Sequence, residues 1–289
     1  MNDISFASKY SNLILFADDT NIFFSDNDLS TLQDTVCKEL SVLSKWFAAN
    51  KLSLNASKTN YIVFNSCNRN YAFDIRVDGQ VIKQASHVKF LGVYIDSNLS
   101  WENHISHVCN QVSKGVGILC RLKHILPRLI LRQIYLTLIL PHLTYCCIVW
   151  SGTTIRHLHK LTVLQKRALR HICSARPRDH TNNLFKSLNL LKLSDIIRLS
   201  ISTFTYRFFI NALPSPFYNF FEKNCSFHSY STRNTSLLRP VYGTNLTRYS
   251  LRYRAVKVWN NLSSQINLTR KPSVKSVRSA LRRYMINLY

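Results

Sequence analysis

The sequence predicts an α+β protein in which a mixed segment of strands and helices precedes a longer, mainly helical one. Short apolar runs separated by turn residues fill about the first 100 positions, as in small strands and hairpins. From Trp101 onward the apolar residues recur every three to four positions, which is typical of helices. Charge follows the same division. Residues 1–102 carry 9 Lys and Arg and 11 Asp and Glu, whereas residues 103–289 carry 29 Lys and Arg and 3 Asp and Glu.

The formal net charge of +24 indicates a polyanionic partner. So many like charges repel one another, and a polymer of phosphates is the ligand that best offsets this repulsion. An anionic membrane surface and a merely solvated basic surface are the alternatives, although solvated faces usually mix both signs. With 46% hydrophobic and 12% aromatic residues the chain can bury a core, which excludes a disordered tail.

Several features argue against a secreted, membrane or zinc protein. The first residues lack the basic start and apolar stretch of a signal peptide. The apolar run 134–150 is short for a membrane span and contains Pro141 and His142, so it predicts a pair of buried helices. The eight Cys form no CxxC pair, and reduced core thiols are expected instead of zinc ligands. We expect an intracellular protein, in either the nucleus or the cytoplasm.

The first hundred residues predict a hairpin, a helix and a small antiparallel sheet. Residues 13–25 (LILFADDTNIFFS) are typical of two apolar strands around an acidic turn. Asp28 or Ser30 is expected to cap a helix over about 31–49, which Asn50 ends. Three β-rich pieces follow, at 61–64, at 71–81 with a turn at Asp78-Gly79, and at 88–95.

The remaining chain predicts a series of helices separated by polar segments. Residues 222–250 are rich in Ser, Thr, Asn and Arg and predict a loop. The helices are expected through Val108 to Leu119, from Pro127 onward, and at 155–172, 190–212, 252–262 and 273–288. The helix at 155–172 presents basic residues for a nucleic-acid backbone, namely Lys160, Lys166, Arg167 and Arg170.

Asp18 and Asp19 are the sharpest candidates for chemistry. Two adjacent carboxylates between apolar strands are costly unless a cation lies beside them. A pair of Mg²⁺ ions suits them, because Mg²⁺ prefers a few carboxylates together with water and phosphate oxygens. Two such ions stabilise the attacking and leaving oxygens of an in-line displacement. An ordinary acidic turn is the alternative, since Asp is common at hairpin tips.

The residues around this pair resemble those of reverse transcriptases. Phe16-Ala17-Asp18-Asp19 resembles the [YF]xDD motif, and Asn55 to Thr59 resembles the N-x-x-K-T loop that follows it. A third match, to an F-L-G…D…L-x-W…H-I block, consists of Phe90, Leu91, Gly92, Val93, Asp96, Leu99, Trp101, His104 and Ile105. Tyr145 to Trp150, Leu164-Gln165-Lys166 with Arg170, and 250–260 (SLRYRAVKVWN) are similar to the tail of jockey-like non-LTR retrotransposon polymerases. The matches run in order across nearly the whole chain.

The resemblance implies an RNA-directed DNA polymerase fold and its partners. Residues 1–100 would be the C-terminal part of the palm, 101–180 a helical thumb and 181–289 a basic helical C-terminal region. The implied partners are an RNA template and a DNA primer, without a membrane, and the implied cofactor is Mg²⁺ in the complete enzyme.

The resemblance also implies roles for single residues. Asp18 and Asp19 would be metal-ligating carboxylates, and Lys58 would lie near the phosphates of the incoming nucleotide, with a plain surface lysine as its alternative. A primer grip would be formed by Phe90, Leu91 and Gly92, although Gly92 could instead mark a strand bulge. Trp101 and Trp259 are expected to pack helices together.

One part of the family pattern has no counterpart in the sequence. The fingers and an earlier acidic palm strand precede the [YF]xDD motif in the family, whereas fifteen residues precede Phe16 here and none resembles that strand. We therefore expect a fragment, truncated before this motif, that is inactive alone and completed by the missing palm and fingers of a polyprotein. A non-catalytic basic nucleic-acid-binding protein derived from such an element is the first alternative, and a helical membrane-surface protein is the second.

Overall fold

The computed structural model describes residues 3–8, 12–17, 19–64, 71–222, 237–241, 243–263 and 273–289. The chain forms two compact units, Met1–Leu99 and Ser100–Tyr289. Helices and small sheets are both present, and 56% of the described residues are helical, so the α+β prediction is confirmed in this coarse form. The functional division into 1–100, 101–180 and 181–289 stays a prediction.

The first unit contains the predicted hairpin. Strands β1 (Asn12–Phe16) and β2 (Asp19–Phe23) are antiparallel, and Phe16 pairs with Asp19 across a two-residue connection. The second strand begins at Asp19, so this acidic residue joins the ladder and does not lie in the turn. The hairpin prediction is thus confirmed with shifted bounds.

One long helix supports this hairpin. Helix α2 (Leu29–Ala49) begins where the Asp28 carboxylate accepts a hydrogen bond from the Thr31 amide at 2.8 Å, and it ends at the predicted Asn50. Its buried side of Leu43 and Phe47 packs with apolar residues of the hairpin and of the short helix α1 (Ile4–Ala7). The cap and the apolar spacing therefore place the hairpin on a small core.

Two further hairpins each have a two-residue turn in which both residues have positive φ. Asp78-Gly79 joins β4 (Arg76–Val77) to β5 (Gln80–Val81), and Leu91-Gly92 joins β7 (His87–Phe90) to β8 (Val93–Asp96). All four turn residues have positive φ, between 44° and 80°, as two-residue turns that match the twist of the strands require.

The expected single antiparallel sheet is wrong in detail. The described strands form separate two-stranded pairs, and β3 (Asn60–Tyr61) pairs with β6 (Lys83–Gln84) in parallel. Each strand of that pair contains two residues.

The second unit is helical. The predicted helices are confirmed, and α7 has the predicted bounds. In chain order they are α3 (Glu102–Leu122), α4 (Arg128–Leu138), α5 (Leu140–Thr144), α6 (Cys147–Trp150), α7 (Ile155–Ile172), α8 (Asn182–Ser187), α9 (Leu193–Phe209), α10 (Asn245–Tyr249), α11 (Leu251–Ser263) and α12 (Val274–Asn287). Helix α10 lies inside the stretch predicted as a loop, most of which is outside the described residues.

The apolar run 134–150 is buried as short helices. Ile139, Leu143 and Trp150 are each fully buried within it. Across the described ranges, no helix combines the length and the apolar composition needed to cross a membrane. The prediction of buried helices in this run is confirmed.

A buried glutamine of α7 forms hydrogen bonds to other elements at the centre of this unit. Gln165 Nε2 donates to the Tyr135 hydroxyl and to the Leu191 carbonyl, each at 2.9 Å, and Oε1 accepts from the Leu193 amide at 2.8 Å. All three hydrogen bonds are buried, where a donor or acceptor without a partner lowers the free energy of unfolding most. Burial raises the pKa of Tyr135 to about 12. The network fixes α7 against α4 and the start of α9.

Candidate functional site

The acidic motif lies where β1 turns into β2. Asp19 is exposed at the start of β2, and Ala17 before it has φ of 54°. Asp18 lies outside the described residues, so the expected geometry of the pair stays a prediction. The hairpin exposes large apolar side chains on both faces of β1, with Leu15 39% and Phe16 59% exposed.

The described residues do not supply a complete metal site. Among them, no group of three or more His, Cys, Asp or Glu side chains lies close enough to hold a metal ion. Mg²⁺ needs several fixed oxygen ligands, and Asp19 is one carboxylate. The described part of the chain therefore does not fit a resident Mg²⁺ site, and no catalytic step follows from it.

The N-x-x-K-T segment forms a turn organised by its asparagine. Asn55 Oδ1 accepts from the Ser57 hydroxyl at 2.6 Å and from the Lys58 amide at 3.2 Å, while the Thr59 hydroxyl donates to the Asn55 carbonyl at 2.9 Å. The Lys58 side chain is exposed. Asn55 and Thr59 thus have local structural roles, and the role of Lys58 stays a prediction.

The predicted primer grip coincides with the β7–β8 hairpin. Phe90 ends β7, Leu91 and Gly92 form the turn, and Val93 is buried at the start of β8. Gly92, with φ of 80°, is a turn residue, so the alternative of a strand bulge is wrong. The tight turn is present, and its contact with a primer stays a prediction.

Within the second unit, His104 of the L-x-W…H-I block packs against a later motif. Trp101 is 8% exposed, and His104 is 3% exposed with its ring centroid 5.7 Å from that of Trp150. Trp150 in turn donates from Nε1 to the Tyr145 carbonyl at 2.7 Å. Trp259 is also buried and stacks on Phe209 of α9 with ring centroids 5.1 Å apart, so the prediction that it packs helices is confirmed, whereas for Trp101 the structure shows burial.

We expect His104 to make the stability of the chain depend on pH. Burial, with a smaller contribution from the charge of His107, lowers the pKa of His104 to about 4. An unfolded imidazole has a pKa of about 6.5, so the stabilising contribution is present above that pH and is lost as the pH falls toward 4. The loss amounts to at most about 3 kcal/mol in the free energy of unfolding, since one pKa unit is about 1.4 kcal/mol. Urea unfolding of wild type and His104→Asn between pH 7 and 4.5 measures it.

A matched control is available for this experiment. His124→Asn changes an exposed histidine of the same unit and should leave the pH dependence of wild type intact. Parallel curves for wild type and His104→Asn would show that His104 does not cause the acid sensitivity.

The motif at 250–260 reaches the motif at 145–150 through Arg254. Its guanidinium donates from Nε to the Tyr249 carbonyl at 2.9 Å, from Nη1 to the Ser151 hydroxyl at 2.8 Å and from Nη2 to the Ile148 carbonyl at 2.7 Å. Burial lowers the pKa of Arg254 to about 10. Arg254 belongs to a motif of the sequence, but no role was predicted for it. The apolar residues that directly follow it in the helix could have indicated that its side chain is buried.

Helix α7 brings the four predicted nucleic-acid-binding residues onto one side. Its opposite side, including Leu161, is buried, and the helix packs against α3. Among the described residues no carboxylate pairs with the four, which are Lys160, Lys166, Arg167 and Arg170. Arg170 donates from Nε and Nη2 to the Asp179 carbonyl, at 3.3 and 2.9 Å. We name this surface the α7 basic face.

Comparison with known proteins identifies relatives in mobile elements. No family model and no solved structure matches the chain. The chain is 25% identical over 186 residues to an RNA-directed DNA polymerase from the mobile element jockey of Drosophila funebris, covering 63% of this chain and 20% of the relative. It is 24% identical over 199 residues to a probable RNA-directed DNA polymerase from transposon BS of Drosophila melanogaster, covering 68% of this chain and 22% of the relative.

The chain therefore spans about a fifth of the length of these curated relatives. A second jockey polymerase, from Drosophila melanogaster, is also 25% identical. The predicted resemblance is confirmed, because over about two thirds of its length this chain is similar in sequence to the RNA-directed DNA polymerases of jockey-like non-LTR retrotransposons.

Proposed function

We propose that this chain is part of an RNA-directed DNA polymerase of a mobile element and that its second unit binds the RNA template and DNA primer. The α7 basic face is the observation that carries the binding proposal. It collects four cations on one side of a helix whose other side is fixed in the core. In this proposal residues 1–100 belong to the palm and 101–180 to the thumb.

The chemistry of the α7 basic face suits phosphates better than bases. Lysine and arginine attract a phosphodiester backbone through charge, which gives affinity with little sequence preference. The carbonyl that Arg170 contacts orients its guanidinium without neutralising it, since a carbonyl oxygen has no net charge. Such a face therefore supports binding to RNA and to a primer–template duplex alike.

The first unit would carry one part of a polymerase site. Apolar side chains are exposed on both faces of β1, and soluble proteins rarely leave such side chains in water as a group. This exposure supports the proposal that other segments cover the hairpin in the complete enzyme. Asp18 and Asp19 would then hold Mg²⁺ together with carboxylates from those segments, and the metal would supply charge stabilisation during nucleotidyl transfer.

A non-catalytic nucleic-acid-binding protein is the second candidate. It is favoured by the location of the α7 basic face wholly within the second unit, which is compact by itself. Binding would then need nothing from the acidic hairpin. Both candidates share the interface and differ in whether Asp18 and Asp19 act.

Charge reversal on the α7 basic face tests the shared interface. We expect the full chain to bind single-stranded RNA and primer–template duplex with a logarithm of affinity that falls linearly with the logarithm of salt concentration. Reversing Lys160, Lys166, Arg167 and Arg170 to Glu should flatten that slope by about 0.7–0.9 for each phosphate that is no longer neutralised. Fluorescence anisotropy at several salt concentrations measures the slope.

Two further variants make the result specific. One reverses the three residues other than Arg170 and so keeps the hydrogen bonds to the Asp179 carbonyl. The other reverses exposed cations elsewhere in the same unit, Arg207, Lys257 and Arg283, and should change the slope less. An equal slope in wild type and the four-residue variant would mean that α7 is not a contact surface.

A further inference from the structure

A second group of arginines lies at the end of α8, apart from the α7 basic face. Arg132, from α4, donates from Nε to the Leu188 carbonyl at 2.8 Å. Arg282, from α12, donates from Nη2 to the Asn189 carbonyl at 2.6 Å. Two helices far apart in the sequence thus bring guanidinium groups to adjacent carbonyls of one short segment.

Two more arginines complete this group. Arg128, one turn before Arg132 on α4, donates from Nη2 to the Ser187 hydroxyl at 2.6 Å. Arg278, one turn before Arg282 on α12, is exposed. We name the set of Arg128, Arg132, Arg278 and Arg282 the arginine cluster.

The arginine cluster is not neutralised by the described protein. Within the described residues, no carboxylate forms an ion pair with any of its members. Burial, followed by the charges of Arg132 and Arg278, lowers the pKa of Arg282, against a smaller opposing effect of Tyr289. The charges of Arg132 and Arg278 thus act against the charge of Arg282.

Helix capping alone accounts for only part of this arrangement. Cations do stabilise the carbonyl end of a helix. Helix α8 has only six residues, however, and Arg278 donates to none of the acceptors at its end within the described residues. The carbonyls hold Arg132 and Arg282 in fixed orientations and leave their charge in place, which is the arrangement that a multivalent anion requires.

The arginine cluster adjoins α7. Helix α7 packs against both α4, which carries Arg128 and Arg132, and α8, whose end supplies the acceptors. The cluster thus lies on elements that pack against α7, and it extends to α12, which contacts α8. A backbone of phosphates bound along α7 has a second set of cations within the same unit.

We infer that the arginine cluster forms a phosphate-binding site for a nucleic-acid backbone, at the junction of α4, α8 and α12. This inference rests on the proposed function and adds a second contact surface to it. Paired guanidinium donors match the oxygen geometry of a phosphodiester, whereas lysines act as point charges.

The test compares two double variants of the full chain. Arg278→Gln with Arg282→Gln removes two charges of the arginine cluster and keeps a polar side chain at both positions. Arg283→Gln with Lys257→Gln removes two exposed charges from α12 and α11. We expect the first variant to reduce the salt slope for a primer–template duplex by about 1.4–1.8, which corresponds to two phosphate contacts. The second should reduce it by less than half of that.

The outcomes separate this inference from the proposed function. If the α7 variants flatten the slope and the cluster variant matches its control, the arginines only cap α8 and the inference is wrong. If wild type does not bind nucleic acid, the proposed function itself fails. A cluster variant that no longer binds phosphatidylserine vesicles and keeps its full affinity for the duplex would overturn the inference in favour of a lipid surface. Arg278→Gln alone, at an exposed position, repeats the test if the double variant does not fold by circular dichroism.

Discussion

The 289-residue chain, purified alone with Mg²⁺, primer–template and nucleotides, is expected to extend the primer no faster than background. Two-metal transfer needs carboxylates that hold two ions about 3.5–4 Å apart. The described residues contain no cluster of three metal-binding side chains, and the acidic pair would hold Mg²⁺ weakly without further fixed ligands. In the proposed function, segments outside these 289 residues align the nucleotide, and alignment supplies much of the rate. A primer-extension assay measures this directly.

A fusion protein tests the same account through an expected gain of primer extension. Joining the fingers and early palm segment of a related polymerase ahead of Met1 should restore extension. Asp18→Ala in that fusion should then lower the rate by about a thousand-fold, because a catalytic metal contributes several kcal/mol and each 1.4 kcal/mol is about tenfold in rate. Asp26→Ala, an exposed acid that follows β2, serves as the matched control and should retain the rate.

Two results would contradict this account of the acidic pair. Robust extension by the 289 residues alone would place the catalytic carboxylates elsewhere in the chain. A fusion that extends the primer equally well with Asp18→Ala would make the pair dispensable and favour the non-catalytic candidate. Affinity for the primer–template should be the same in all fusions, so that a slower rate cannot be explained by weaker binding.

Replacing Arg254 by Met is expected to lower the free energy of unfolding by about 3–5 kcal/mol. The substitution keeps an unbranched side chain of similar length but removes every donor. It leaves the Ile148 and Tyr249 carbonyls and the Ser151 hydroxyl without the hydrogen bonds that Arg254 makes to them. Urea denaturation followed by circular dichroism measures the change.

Arg252→Met is the matched control on the same helix. Arg252 pairs with Glu222 at 2.8 Å, and both side chains are largely exposed, so its removal should cost less than about 1 kcal/mol. Ser151→Ala combined with Arg254→Met should cost less than the sum of the two single changes, since both remove the same hydrogen bond. Equal costs for the Arg254 and Arg252 variants would mean that Arg254 does not stabilise the packing of α11 on α6.

Helix ends and turns show how far the sequence predicts this structure. The spacing of apolar residues predicted α7 to the residue. Asp28 was one of the two caps predicted for α2, and Asn50 was predicted as its end, because caps and helical faces depend on residues within one or two turns. The hairpin around the acidic motif and the turn at Asp78-Gly79 were predicted for the same reason. Turn chemistry is set by neighbours in the chain.

The sequence by itself determined the α+β class, the helices of the basic part and the order of motifs shared with jockey-like polymerases. Only the tertiary structure decided which of those motifs meet. Arg254 contacts Ser151 from 103 positions away, and Arg282 contacts Asn189 from 93 positions away. The parallel pairing of β3 with β6 likewise joins strands separated by two other elements. Such contacts depend on how complete helices and strands pack, and packing depends on shape and burial summed over many side chains, which no local spacing encodes.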